Sequence, residues 1–193
     1  MKHIIVVFGP SGCGKSTVGK FLHENREFEF LESDQYQPKE SVEKMKSGSS
    51  LNGLDHAVWL RELSQASIDA TSKHEVVVVS CSALKRTHRN IFRPAVIDHN
   101  KSNERQHSNS KIKLHFLFLQ ICEKNAEILV EQRQLRDGDY MPMDLVRNQF
   151  QTLEVPRSGT KGELSIDCTI IDAGKGVEWM LKSVEDILEA FLS

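Results

Sequence analysis

The sequence predicts an open α/β fold in three layers, a five-stranded parallel sheet with helices on both faces. Three observations carry this. Short apolar runs alternate with helix-period segments along nearly all of the 193 residues. One run, Val76 to Ser80, is apolar at consecutive positions, as a strand covered on both faces must be. The 39% of hydrophobic residues and the length suit one buried core. Strand–helix alternation of this kind builds a parallel sheet through right-handed crossovers.

Taken in order, His3 to Phe8 is β-branched and apolar and ends at Gly9, which makes it the first strand. Lys15 to about Asn25 turns helical, with Val18, Phe21 and Leu22 on one side. Phe28 to Leu31 is the second strand and Val76 to Ser80 the third. His115 to Leu119 and Cys168 to Ile171 supply the fourth and fifth. Helices are expected at Ser41–Lys46, His56–Thr71, Lys85–Ile97, Lys124–Leu135 and Met143–Leu153. Val177 to Leu192 places Val177, Met180, Leu181, Val184, Ile187, Leu188 and Phe191 on one face of a terminal, core-facing helix. Two polar stretches, about 99–111 and 157–167, are expected as exposed loops. No repeat or linker divides the chain, so residues 1–193 are expected to form a single domain.

Composition narrows the partners. With 25 basic against 27 acidic residues, the chain lacks the field of a polyanion binder, and no nucleic-acid partner is expected. The four cysteines show no Cys-x-x-Cys spacing, which argues against a disulfide framework or zinc knuckle. No apolar run approaches the ~20 residues that span a bilayer. The chain opens Met1-Lys2-His3 and enters a strand at once, so a cytoplasmic setting without membrane association is expected.

The strongest motif is Gly9-Pro10-Ser11-Gly12-Cys13-Gly14-Lys15-Ser16, a full match to G-x-x-x-x-G-K-[ST] between a strand and a helix. Glycines let such a loop curl until its N–H groups face phosphate oxygens, and the helix adds its positive end. Lys15 is expected to reach the terminal phosphates of ATP, and the Ser16 hydroxyl to hold Mg²⁺. The nucleotide-binding set is Gly9, Pro10, Ser11, Gly12, Cys13, Gly14, Lys15, Ser16 and Thr17. Cys13 is read either as a small tolerated side chain or as a thiol activated at a helix start.

The surroundings select among nucleotide-binding classes. No aspartate is followed three residues later by glycine, and Asn100-Lys101-Ser102-Asn103 lacks the final aspartate of a GTPase signature. The third strand runs into Ser80-Cys81-Ser82 without the carboxylate expected of a motor or AAA-type ATPase. The carboxylates instead follow the second strand, at Glu32-Ser33-Asp34. That placement suits a small kinase with a lid, here about 132–143. Asp34 is the expected general base or hydroxyl-orienting group, with a turn or cap aspartate as the alternative, and Glu32 its support. Lys85, Arg89 and Arg93 stand at i, i+4 and i+8, which a helix stacks into a cationic row for an anionic acceptor; a solvated helix face is the alternative. Arg136, with Arg133 nearby, is expected to bring guanidinium charge to the transferring phosphate; an ordinary helix end is the alternative, above all for Arg133.

Together these residues resemble the short, P-loop gluconokinase family. The resemblance runs through the phosphate loop, Phe30-Leu31-Glu32-Ser33-Asp34, Pro38, Glu43-Lys44-Met45-Lys46-Ser47-Gly48, Leu51-Asn52, Asp55 and Trp59-Leu60. It continues through Cys81-Ser82-Ala83-Leu84-Lys85 with Arg89 and Arg93, Gln149-Phe150, Leu153-Glu154 and Pro156. It implies a nucleoside-monophosphate-kinase-like fold and phosphorylation of the 6-hydroxyl of D-gluconate by Mg-ATP. It also implies Lys44 near the substrate and often a homodimer. The chain departs from the family pattern at Gln37, His56, His88, Asn90 and Asp139. Two other readings stay open: a different small-molecule kinase, such as a shikimate-kinase-like enzyme, and a nucleotide-binding protein without catalysis.

Overall fold

The computed structural model describes residues 1–36, 53–105, 110–137, 141–159 and 162–192. The elements are β1 (Lys2–Phe8), α1 (Lys15–Arg26), β2 (Glu29–Glu32), a 3₁₀ turn (Ser33–Tyr36), α2 (Gly53–Ala70), β3 (Val76–Cys81) and α3 (Arg86–Arg105). They continue with β4 (Ile112–Gln120), α4 (Glu123–Asp137), α5 (Met143–Thr152), β5 (Cys168–Asp172) and α6 (Val177–Leu192). The helix expected at Ser41–Lys46 lies outside the described residues.

All pairings are parallel and the strand order is β2-β3-β1-β4-β5. β1 sits at the centre, with Ile5 opposite Val78 on one side and His115 on the other. Successive side chains of a strand point to opposite faces, and this divides the core in two. Ile4, Val6 and Phe8 join Trp59, Leu60 and Leu63 of α2 and Phe92 and Val96 of α3 on one face. Ile5 and Val7 join Val18 and Leu22 of α1, Ala126 and Val130 of α4, Val146 of α5, and Met180, Val184 and Leu188 of α6 on the other. An unbroken apolar β1 is therefore what a sheet with two covered faces demands.

Phe30 packs its ring onto Gly19 of α1 so closely that a Cβ there would stand 2.1 Å from it. On α6, Val177 is more than half exposed, while Met180, Val184 and Leu188 are buried. The aromatic end of that helix, Phe191, meets His115 in a tilted contact at 4.4 Å and His3 edge-on at 5.2 Å.

Both expected loops are corrected in part, and residues 157–159 are exposed as expected. Residues 99–105 continue α3, because its asparagines find backbone partners beyond the helix. Asn100 exchanges two hydrogen bonds with the backbone of Ile112, both 2.8 Å, and Asn103 donates to the Ser110 carbonyl. In the second stretch, Glu163 is buried rather than exposed, in a 3₁₀ turn (Glu163–Ser165). Its charge is matched by arginines from α3.

Candidate active site

The chain leaves β1 toward β3 and β2 on one side of the sheet and later adds β4 and β5 on the other. Open α/β sheets bind ligands at the carboxyl ends of strands flanking such a reversal. A cleft of about 950 Å³ opens there, and the phosphate loop forms its floor. Gly14 caps α1 in the left-handed region at φ 100°, and Gly12 also has positive φ. A Cβ on Gly12 would stand 2.8 Å from the Ala126 carbonyl, and one on Gly14 2.8 Å from the Met180 Cε. Helices α4 and α6 thus press the loop from two sides, so the glycines meet both a backbone and a packing requirement.

Lys15 Nζ donates to the Pro10 carbonyl at 2.9 Å, folding the ammonium over the loop and beside the cleft. Ser16 and Thr17 line the same space at the first turn of α1. Cys13 is 2% exposed, and burial pushes its thiol pKa up despite the nearby Lys15 charge. A buried thiol with a raised pKa is poorly reactive, which favours the small-side-chain reading over the activated thiol.

Asp34 stands in the 3₁₀ turn after β2, exposed and lining the cleft. Its position is set from behind. Trp59 Nε1 on α2 donates to the Ser33 carbonyl at 3.2 Å, while Ser33 itself is buried. Glu32 accepts from the Ser80 hydroxyl, joining the ends of β2 and β3. Ser82, Leu84 and Lys85 of the β3–α3 turn and His88 in the first turn of α3 form another part of its wall. Arg133 and Arg136 reach the cleft from α4, and Met141 and Pro142 flank it before α5. The lid residues 138–140, with Asp139 of the departures, lie outside the described residues. So do Lys44, Gln37 and Pro38, while the His56 side chain is not described.

The expected cationic row is not one row. Lys85 precedes α3 and faces the cleft, whereas Arg89 is fully enclosed and Arg93 nearly so. Arg89 Nε and Nη2 grip the two oxygens of Glu163 at 2.8 and 2.6 Å. Its Nη1 donates to the Ala83 and Leu84 carbonyls, and Nη2 also donates to the Glu154 carbonyl. Arg93 pairs with both oxygens of Asp167 at 2.8 Å and with Glu163 at 2.9 Å. Their guanidinium groups lie over Phe8 and Phe116 at 4.9 and 4.7 Å. Burial alone would raise the Glu163 carboxyl pKa, but hydrogen bonds and charge from Arg89 and Arg93 outweigh it and hold it below the ordinary value.

Arg89 and Arg93 are therefore corrected from substrate ligands to supports. The physical reason is the shape of helix α3. Positions four apart share a face, and this face is turned onto the sheet, while Lys85 stands one residue before the helix. Arg89 supports the cleft wall from behind, through the backbone of Ala83, Leu84 and Glu154. Ala83 has φ 35°, so the turn it holds is one that a non-glycine residue rarely adopts.

Sequence patterns gave no role to Glu163, read Met180 only as a core residue, and marked Gln149 only as part of the family resemblance. Gln149 and Met180 line the cleft, and Glu163 stands behind it. The charge of Glu163, within a stretch otherwise poor in apolar residues, was a signal for solvent. Its actual partner lies 74 residues away in sequence.

A glycine-cradled phosphate loop, a carboxylate after β2 and cations lining the same cleft define a P-loop phosphotransferase of the small-kinase type. Residues 4–156 match the family described as an AAA domain, even though β3 ends without an acidic residue. A probable gluconokinase of Schizosaccharomyces pombe is 34% identical over 86% of this chain and 79% of its own length. The gluconokinase of Arabidopsis thaliana is 30% identical over 78% of this chain and 77% of its own. The crystal structure of a gluconokinase from Sinorhizobium meliloti has a TM-score of 0.69 at 31% identity, covering 93% of this chain and 87% of that one. The chain belongs to the gluconokinase family of P-loop kinases.

Proposed function

We propose that the protein transfers the γ-phosphoryl group of ATP to the 6-hydroxyl of D-gluconate, giving 6-phosphogluconate and ADP. The observation that carries this reading is the placement of Asp34 and Lys85 in one cleft with the phosphate loop. A sugar acid has a carboxylate at one end and a primary hydroxyl at the other, and the cleft offers a cation and a carboxylate to match.

The loop N–H groups and Lys15 would hold the phosphates of ATP, and Arg136 would add charge from the lid side as negative charge shifts during transfer. Asp34 would orient the acceptor hydroxyl and receive its proton as the new O–P bond forms and the β–γ bridge breaks. Lys85 would bind the acid's carboxylate, with Lys44 a second candidate. Ser16 offers a hard hydroxyl oxygen beside the phosphate cradle, which fits a cation that is held mainly by phosphates and water. Mg²⁺ held there would offset phosphate charge. A homodimer in the cytoplasm, without nucleic-acid or membrane partners, belongs to the same reading. No helix among the described residues is long and apolar enough to cross a membrane.

The test is a coupled assay of ADP formation with Mg-ATP across a panel of sugar acids and shikimate. Gluconate-dependent turnover is expected. Turnover with another acid alone would move the chain to a different acceptor.

A further inference from the structure

Gln149 and Glu154 belong to the stretch shared with the family, and neither has a part in the chemistry above. Their contacts fall on two different segments of the cleft lining. The Ser11 N–H of the phosphate loop donates to Gln149 Oε1 at 2.7 Å. Just after α5, the Glu154 N–H donates to the Leu84 carbonyl at 2.9 Å. The Glu154 carboxylate accepts from the Arg86 N–H at 2.7 Å, closing the first turn of α3, and its carbonyl accepts from Arg89. Leu84 and Lys85 are the acceptor wall. One short segment therefore holds the nucleotide loop with a side chain and the acceptor turn with its backbone and a carboxylate. At its other end α5 leads back to the lid, where Gln134 of α4 donates to the Met141 carbonyl.

We propose that residues 149–154 form a coupling strap, in which Gln149 is a positioning residue that transmits occupancy of the phosphate loop to the acceptor turn. The inference rests on the gluconate reading above. Ser11 is joined to Gln149 across 138 residues of sequence, so a shift of the loop on nucleotide binding acts directly on α5. The same helix ends on Leu84, Arg86 and Arg89, whose geometry sets Lys85. Binding of nucleotide thereby organises the acid site, and reciprocity requires the acid to tighten the nucleotide by the same factor.

The experiment measures gluconate dissociation constants calorimetrically, with and without saturating Mg-AMP-PNP, and takes their ratio. The native chain is expected to show a ratio of about fivefold or more, the lower end of ordinary site–site coupling. Gln149→Met keeps the packing but removes the acceptor oxygen, and its ratio falls to about one. Gln149→Glu keeps an oxygen for Ser11 and retains the ratio, although its charge weakens nucleotide binding itself. In a cycle with Glu154→Ala, the double variant couples no worse than the weaker single one, as members of one strap require. Steady-state kinetics at saturating Mg-ATP should show Gln149→Met raising KM for gluconate, while its gluconate dissociation constant without nucleotide stays native. Gluconate turnover with a native ratio of one, or a native ratio preserved in Gln149→Met, overturns the strap alone. Failure of the native chain to bind gluconate overturns the functional reading with it.

Discussion

Two groups of cations flank the carboxyl ends of the central strands, and they serve different ends. Lys15, Lys85, Arg133 and Arg136 line the cleft, where an anionic ligand can reach them. Arg89 and Arg93 lie behind its wall, matched to Glu163 and Asp167 and stacked on Phe8 and Phe116. The difference teaches that an arginine's role follows its counter-charge. A guanidinium already gripped by two carboxylate oxygens has no fork left for a substrate, and its removal strands a buried anion. The cleft cations are placed to meet a ligand, and the buried ones hold the shape of the wall.

Substitutions should separate the two groups. The largest effect is expected at the cleft's carboxylate: Asp34→Asn should lower kcat by about 10²–10⁴ with nucleotide affinity nearly unchanged, read by the coupled assay and by calorimetry. Next, Arg89→Met should cost about 3–5 kcal/mol of stability in urea unfolding, because Glu163 loses its enclosed partner. Lys85→Met should raise KM for gluconate about tenfold or more, consistent with one lost charged hydrogen bond, while leaving the melting temperature within a degree or so. Equal losses of stability in the Lys85 and Arg89 variants would erase the distinction. The smallest effect concerns acid. Glu163 titrates below its unfolded value, so its contribution is complete above that value, about 4.3, and is lost as pH falls through the depressed folded value. Urea midpoints from pH 7 to 3 should show this acid decline, and Glu163→Gln should flatten it.

The sheet was legible because its signal is local. A doubly covered strand must be apolar at every position, and β1, β3 and β4 are nearly so. The phosphate loop was legible for a similar reason, since its function rests on backbone shape and on glycines adjacent in sequence. Asp34 was placed correctly in the cleft because it stands only two residues beyond β2. The buried ion cluster was not legible. A row at i, i+4 and i+8 shows that side chains share a face and is silent about what that face meets. Arg89 meets Glu163 across 74 residues, in a stretch whose polarity alone looks solvent-facing. The continuation of α3 to Arg105 was hidden in the same way, by asparagines whose partners, Ser110 and Ile112, lie beyond the helix.

The most direct test of the account is phosphorus NMR of the purified chain with Mg-ATP and D-gluconate. Growth of a phosphate-monoester signal from a phosphoryl group on the C6 oxygen, matched by ADP and absent in Asp34→Asn, is the predicted result. A folded chain that binds ATP yet forms no sugar-acid phosphate would contradict it.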